Sequence, residues 1–202
     1  MAQKRRVLII YGGESTEHEV SCRSAAFLFK NLDRLKYDVS AIGIDKNGRW
    51  HVQDTRKIGT AKELTSIPIE HGVGTPGQLS MSQALDPSAT LPAAYEAGQG
   101  NVPDRSMDLD DVRDDVVVFP MLHGPLGEDG TIQGLFEISH VAFVGPDTLG
   151  SAIGMDKVVS KKLALAAGVP VAAFVEIRSW EWRDNAEVKN QQIRATLRLP
   201  IF

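Results

Sequence analysis

Residues 7–11 (VLIIY) form an unbroken apolar run that stops at Gly12 and Gly13. A segment apolar on both faces suits a central strand of a parallel sheet covered by helices, so a buried strand is expected here. Beyond the glycine pair, Ala25, Leu28, Phe29 and Leu32 fall at i, i+3, i+4 and i+7, one face of a helix over 18–33. Residues 37–44 (YDVSAIGI) predict a second strand, which completes a strand–helix–strand unit with short connections. Asp45, Lys46, Asn47 and Gly48 predict a turn, and 49–52 a short strand beyond it.

The pattern then breaks down. Five of the ten prolines fall within 54–113, periodicity is poor, and an irregular excursion with pieces of helix or hairpin is expected. Order returns at 116–120 (VVVFP), a second buried parallel strand that runs into a loop over 123–130. Ile132, Leu135 and Phe136 mark a short helix, and 141–144 a further strand stopped by Gly145 and Pro146. Val159, Leu163 and Ala166 predict a helix over 157–167, ended by Gly168 with Pro170 beyond. After it come an expected strand over 171–177, a helix over 185–198 and the beginning of a strand at 199–202. Alternation of strands and helices places the fold in the α/β class. Two domains are expected, 1–148 and 149–202.

Composition narrows the function classes. With 43% hydrophobic and 24% charged residues the chain is an ordinary globular one, and its net charge of −4 supplies no basic field for nucleic acid. Lys4, Arg5 and Arg6 are expected to be a solvated tail. Cys22 is the sole cysteine, which rules out an intrachain disulfide and fits a reducing, cytoplasmic setting. The apolar run after the basic triplet is too short for a signal peptide, and no stretch approaches the ~20 apolar residues of a membrane span. Trp50, Trp180 and Trp182 are expected to pack rather than to touch a cofactor. His18, His51, His71 and His140 lack metal-ligand spacing, so no zinc site is expected.

Two loops carry most of the candidate chemistry. The first, Gly12 to Ser21, joins the carboxyl end of a parallel strand to a helix start, the edge where open α/β sheets bind ligands. Its Glu14, Glu17 and Glu19 oppose phosphate and suit a cation such as an ammonium. The same residues also suit a capped helix, with Ser15 or Thr16 as N-cap and carboxylates complementing the dipole. The second loop offers His123, Glu128 and Asp129 among glycines. It too follows a buried strand, so His123 and Glu17 should share one edge. A histidine there can handle a proton or a charge near neutral pH, or can simply satisfy backbone groups of a turn. A third feature is Lys157, a cation at a helix start, where the dipole disfavours it; an anionic partner or a solvated lysine beside Asp156 would account for it.

Three segments in order resemble the D-alanine–D-alanine ligase family: Gly12, Gly13, Ser15, Glu17, His18, Glu19, Val20 and Ser21; then His123, Gly124, Gly127, Glu128, Asp129, Gly130, Thr131, Ile132, Gln133 and Gly134; then Ser151, Ala152, Ile153, Gly154, Met155, Asp156 and Lys157. The resemblance implies a Rossmann-like domain followed by the start of an ATP-grasp domain. It implies an ATP-dependent reaction in which the first D-alanine's carboxylate is phosphorylated and the second D-alanine's amine displaces phosphate, for cell-wall peptidoglycan. Carried onto this chain, it gives Glu17 and His123 catalytic roles, with Glu17, Val20, His123 and Gly124 around the first D-alanine. Lys157 would contact an ATP phosphate. Mg2+ ligands, the adenine pocket and further ATP-binding residues are expected beyond Phe202, so the chain is expected to be an N-terminal part, inactive alone. The resemblance further implies a homodimer. A non-catalytic amino-acid-binding module and a dimerisation module stand as rival readings.

Overall fold

In the structure, a computed structural model, residues 4–55, 58, 66–69, 116–198 and 200 are described. The first apolar run becomes β1 (Arg5–Gly12), followed by α1 (His18–Asn31), β2 (Tyr37–Ile44) and β3 (Trp50–Gln53). Then come β4 (Val116–Pro120), α2 (Thr131–Ile138) and β5 (Ala142–Phe143). The strands form one sheet in the order β3-β2-β1-β4-β5. β2, β1, β4 and β5 run parallel; β3 is antiparallel to β2 at one edge.

The alternation along β1 explains its position. Val7, Ile9 and Tyr11 pack toward α1 with Ala25, Ala26 and Phe29, while Leu8 and Ile10 pack toward α2 with Ile132 and Phe136. Only a central strand buries both faces in this way, as the continuous apolar run requires. Helix α1 follows the expected stripe: Ala25 and Phe29 are buried, and Leu28 and Leu32 pack against them. Arg5 and Arg6 are not a tail. They pair with Tyr37 and Asp38 as the first rungs of β1, because that strand's ladder outlasts its apolar stretch.

The chain divides into two compact units, Met1–Ala152 and Ile153–Phe202. A helix absent from the sequence reading, α3 (Thr148–Met155), has Ser151 as its single buried residue, so no apolar stripe announces it. The second unit holds α4 (Lys157–Ala166) and α5 (Ser179–Thr196). Gly168, at φ 76°, follows the last turn of α4 as expected. The strand expected over 171–177 does not form: residues 169–178 have no regular structure, and a strand exists only by pairing with a neighbour. Side chains instead fold this segment back on α4, with Glu176 on Lys162 at 2.6 Å and Lys161 over the Phe174 ring. Helix α5 begins six residues before the expected start, its Arg178 N–H capped by Glu181 at 2.8 Å. A break at Asn185 (φ −147°, ψ 52°) interrupts it and hides its first turn from a periodicity argument. Trp50 is buried as expected, but Trp180 and Trp182 are exposed on α5, which has no buried residue.

Most of the excursion at 54–113, His71 and all but Pro200 of the strand start at 199–202 lie outside the described residues. Of the excursion, Ile67 is buried against α1, its N–H donating to the Cys22 carbonyl at 3.2 Å. Among the described residues no helix is long and apolar enough to cross a membrane.

Candidate functional site

The strand order reverses at β1. The chain runs outward through β2 and β3, then returns on the other side of β1 as β4. In such sheets the loops leaving the two strands at the reversal diverge and open a crevice at their carboxyl ends. Here those loops are 13–17, after β1, and 121–130, after β4.

Several hydrogen bonds set the floor of this crevice. The Ser21 hydroxyl accepts from the Gly12 N–H at 2.7 Å and donates to the Met121 carbonyl, joining the ends of the two strands. Gly12 sits at φ 94°, and a Cβ there would meet the Ile44 carbonyl at 2.2 Å, so β1 can end this close to β2 only with glycine. The Ser15 hydroxyl donates to the His123 carbonyl at 2.7 Å and accepts from the Glu17 N–H at 3.1 Å. Neither Ser15 nor Thr16 is therefore the helix N-cap; that position is Glu17, whose side chain makes no capping bond. The His123 carbonyl needed a donor, and Ser15 supplies it. His18 Nδ1 donates to the Gly13 carbonyl at 2.7 Å, a structural duty.

The loop at 121–130 is held from within. Asp129 accepts from the Leu126 and Thr131 N–H groups; burial alone would raise its carboxyl, but these bonds hold it below its ordinary pKa. The Gly127 carbonyl takes the Gln133 amide at 2.9 Å. His123 is half-buried between two partners, Ser24 Oγ at 3.0 Å from Nε2 and Glu128 Oε1 at 3.8 Å from Nδ1.

Glu17 and His123 lie in loops at the same end of the sheet, one after β1 and the other after β4. The Glu17 carboxylate lies against Gly124, next in sequence to His123: a Cβ on Gly124 would be 2.6 Å from Glu17 Oε2. Glu17 is exposed, as is Val20, one turn along α1. Beside them lies a cleft of about 220 Å³ whose lining includes Ile44, Trp50, Leu126 and Leu135 together with Glu14, Ser15 and His123. Glu17, Val20 and Gly124 do not line it, so His123 alone of the expected substrate residues borders both. Glu19 pairs with Lys46 at 3.0 Å, which holds its carboxyl below the usual range. Cys22 is buried and its thiol pushed up to about 11 by desolvation, which makes it unreactive. In the second unit Lys157 is the first residue of α4 and exposed, while Asp156 caps that helix through the Val158 and Val159 N–H groups.

Apolar periodicity alone gives no role to Ser21 or Ser24. Glu17, Ser21 and Ser24 follow the spacing i, i+4, i+7 and so form a polar stripe on the α1 face turned to the second loop. Periodicity applied to polar residues as well as apolar ones carries that signal.

A family model described as the D-ala D-ala ligase N-terminus matches residues 6–146. D-alanine–D-alanine ligase A of Bradyrhizobium diazoefficiens is 43% identical over 174 residues, 86% of this chain and 43% of that protein. The D-alanine–D-alanine ligase of Mycolicibacterium smegmatis is 40% identical over 200 residues, 98% of this chain and 49% of that protein. Among solved structures, the VanG D-Ala:D-Ser ligase from Enterococcus faecalis matches with a TM-score of 0.56 and 32% identity, over 98% of this chain and 51% of that one. The D-alanine–D-alanine ligase from Coxiella burnetii matches with a TM-score of 0.59 and 26% identity, over 95% and 50%. The chain thus spans about half the length of the curated relatives it matches. A match over residues 6–146 exceeds half of the 202 residues and takes in the whole crevice at β1 and β4, so this chain belongs to the D-alanine–D-alanine ligase family, of which it carries the N-terminal domain.

Proposed function

We propose that this chain supplies the amino-acid-binding half of an ATP-dependent D-alanine–D-alanine ligase of cytoplasmic peptidoglycan synthesis. The observation that carries this reading is the Glu17 carboxylate lying against Gly124, the residue after His123, at the reversal of strand order. An exposed carboxylate there suits the ammonium of a first D-alanine, and Val20 and Gly124 flank it. His123, one residue from Gly124, is within reach of the carboxyl of the same small molecule. ATP would supply the phosphoryl group that activates this carboxyl, and Lys157 would hold a phosphate. Mg2+ neutralises phosphates in reactions of this class, but no cluster of three or more His, Cys, Asp or Glu suited to a metal ion occurs among the described residues. In this reading catalysis needs the half that the longer relatives possess, and the homodimer belongs to the full-length enzyme.

Two measurements test the proposal together. Calorimetry with D-alanine and with a non-hydrolysable ATP analogue, separately, should show amino-acid binding and negligible nucleotide binding. One exposed ion pair contributes roughly 0–1 kcal/mol, far below the ~5–8 kcal/mol of useful nucleotide affinity. Incubation with ATP, Mg2+ and D-alanine should release no dipeptide above a protein-free control. Dipeptide formation, or nucleotide binding without D-alanine binding, would overturn it.

A further inference from the structure

His123 is held at three points. Its carbonyl takes the Ser15 hydroxyl at 2.7 Å, and Nε2 lies 3.0 Å from Ser24 Oγ. Nδ1 faces Glu128 Oε1 at 3.8 Å, while the other oxygen of that carboxylate accepts the Gly124 N–H at 2.8 Å. Glu128 cannot swing freely, because the backbone next to His123 anchors it. Ser24 cannot drift either: it stands two turns along α1 from Glu17, on a helix whose neighbouring Ala25 and Phe29 are core residues.

We propose that Ser24 and Glu128 are positioning residues that fix the tautomer and the orientation of the His123 imidazole beside the substrate. At 3.8 Å the carboxylate attracts Nδ1 without hydrogen-bonding it, and this attraction, together with the Ser24 hydroxyl on Nε2, favours the proton on Nδ1. Nε2 is then the acceptor and takes the Ser24 O–H. This is the reverse of the Nε2–H form that free histidine favours, and a histidine's tautomer is set by the partners of its ring nitrogens. The arrangement also lets the ring gain a proton without moving. A hydroxyl both donates and accepts, so Ser24 can turn its hydrogen away and receive Nε2–H, while Glu128 balances the new charge. Because Ser24 and Glu17 share one face of α1, the same helix that presents the carboxylate also holds the imidazole, and the spacing between them is set by the helix. The inference rests on the reading of His123 as the residue beside the substrate carboxyl.

The test is nitrogen NMR of the ring nitrogens in the 202-residue chain at neutral pH, without ligand, with His123 identified by the signals lost in His123→Asn. The expected result is a protonated Nδ1 and an unprotonated Nε2. Ser24→Ala and Glu128→Gln should each move the ring toward the ordinary Nε2–H mixture. Ser24→Ala should weaken D-alanine binding about three- to tenfold, the range for one neutral hydrogen bond, and Ser24→Thr should restore both readouts. A wild-type His123 with the free-histidine mixture would overturn the inference. So would a ring spectrum and a D-alanine affinity unchanged in both Ser24→Ala and Glu128→Gln. The ring measurement needs no amino acid, so the two readings fail separately. The expected tautomer in a chain that binds no D-alanine would sink the amino-acid site alone; D-alanine binding with a free-histidine ring would sink the positioning role alone.

Discussion

Gly124 concentrates the constraint on the site. Its φ of 74° suits glycine, and a Cβ would fall 2.6 Å from the Glu17 carboxylate. Two effects follow from Gly124→Ala. A left-handed conformation costs a residue with a Cβ roughly 1–2 kcal/mol, which lowers the melting temperature by a few degrees. The clash itself is with the far end of a flexible side chain, so Glu17 swings aside rather than the backbone yielding. D-alanine affinity is therefore expected to fall further than the stability loss alone accounts for. Gly145→Ala separates the two effects: Gly145 has φ 137° and nothing within 4 Å, so melting should drop with binding untouched. Equal losses of D-alanine affinity in both variants would show that the Gly124 contact with Glu17 has no bearing on binding.

At the scale of elements, the turn between β2 and β3 closes the crevice on its far side. Asp45 Oδ1 accepts from the Asn47 and Arg49 N–H groups at 2.8 and 3.0 Å, and Oδ2 meets His51 Nε2 at 3.0 Å. Burial pushes the Asp45 carboxyl up, but these bonds outweigh it and leave it below its ordinary value. A depressed carboxyl stabilises the fold above the unfolded pKa of about 3.9, and that stability is lost as pH falls through the lower folded value. Thermal melts from pH 6 down to 2 should fall steeply below about pH 4 for the native chain, and Asp45→Asn should flatten that fall. Equal slopes would contradict the account. Elements with a continuous or regularly spaced apolar signature, β1, α1, β2 and β4, were legible in the sequence because each buries its pattern. Helix α3 was not, since Ser151 is all it buries. The segment 171–177 misled for the opposite reason: its apolar residues satisfy a strand pattern, but a ladder depends on a partner the pattern cannot specify. That Glu17 and His123 stand at one end of the sheet was legible from their places after buried strands. Ser24 shows in the sequence only as part of a polar stripe with Glu17 and Ser21; its partner, the His123 ring, is supplied by the fold.

For the molecule as a whole, burial is uneven between the two units. The unit Met1–Ala152 holds every residue of both core clusters, whereas α4 and α5 in Ile153–Phe202 bury none. Local opening costs little where few apolar contacts must be broken. Amide hydrogens of β1, β4 and α1 should therefore exchange slowest, those of α4 and α5 orders of magnitude faster, and limited proteolysis should cut within the second unit first. Comparable protection in α5 and β1 would contradict this picture. Glu17, Gly124 and His123 of the proposed site all lie in the unit Met1–Ala152. The most direct measurement of the central claim is a titration of the 202-residue chain with D-alanine, followed through the backbone amides of Glu17 and Gly124 and the His123 ring, for the native chain and for Glu17→Gln. The substitution keeps the shape and removes the charge, and a hydrogen bond to a charged group contributes roughly 1.5–3 kcal/mol, so affinity should fall roughly 10- to 150-fold. The account predicts saturable shifts at these three residues in the native chain and that loss in the variant. Shifts confined to other parts of the chain, or equal affinity in Glu17→Gln, would contradict it.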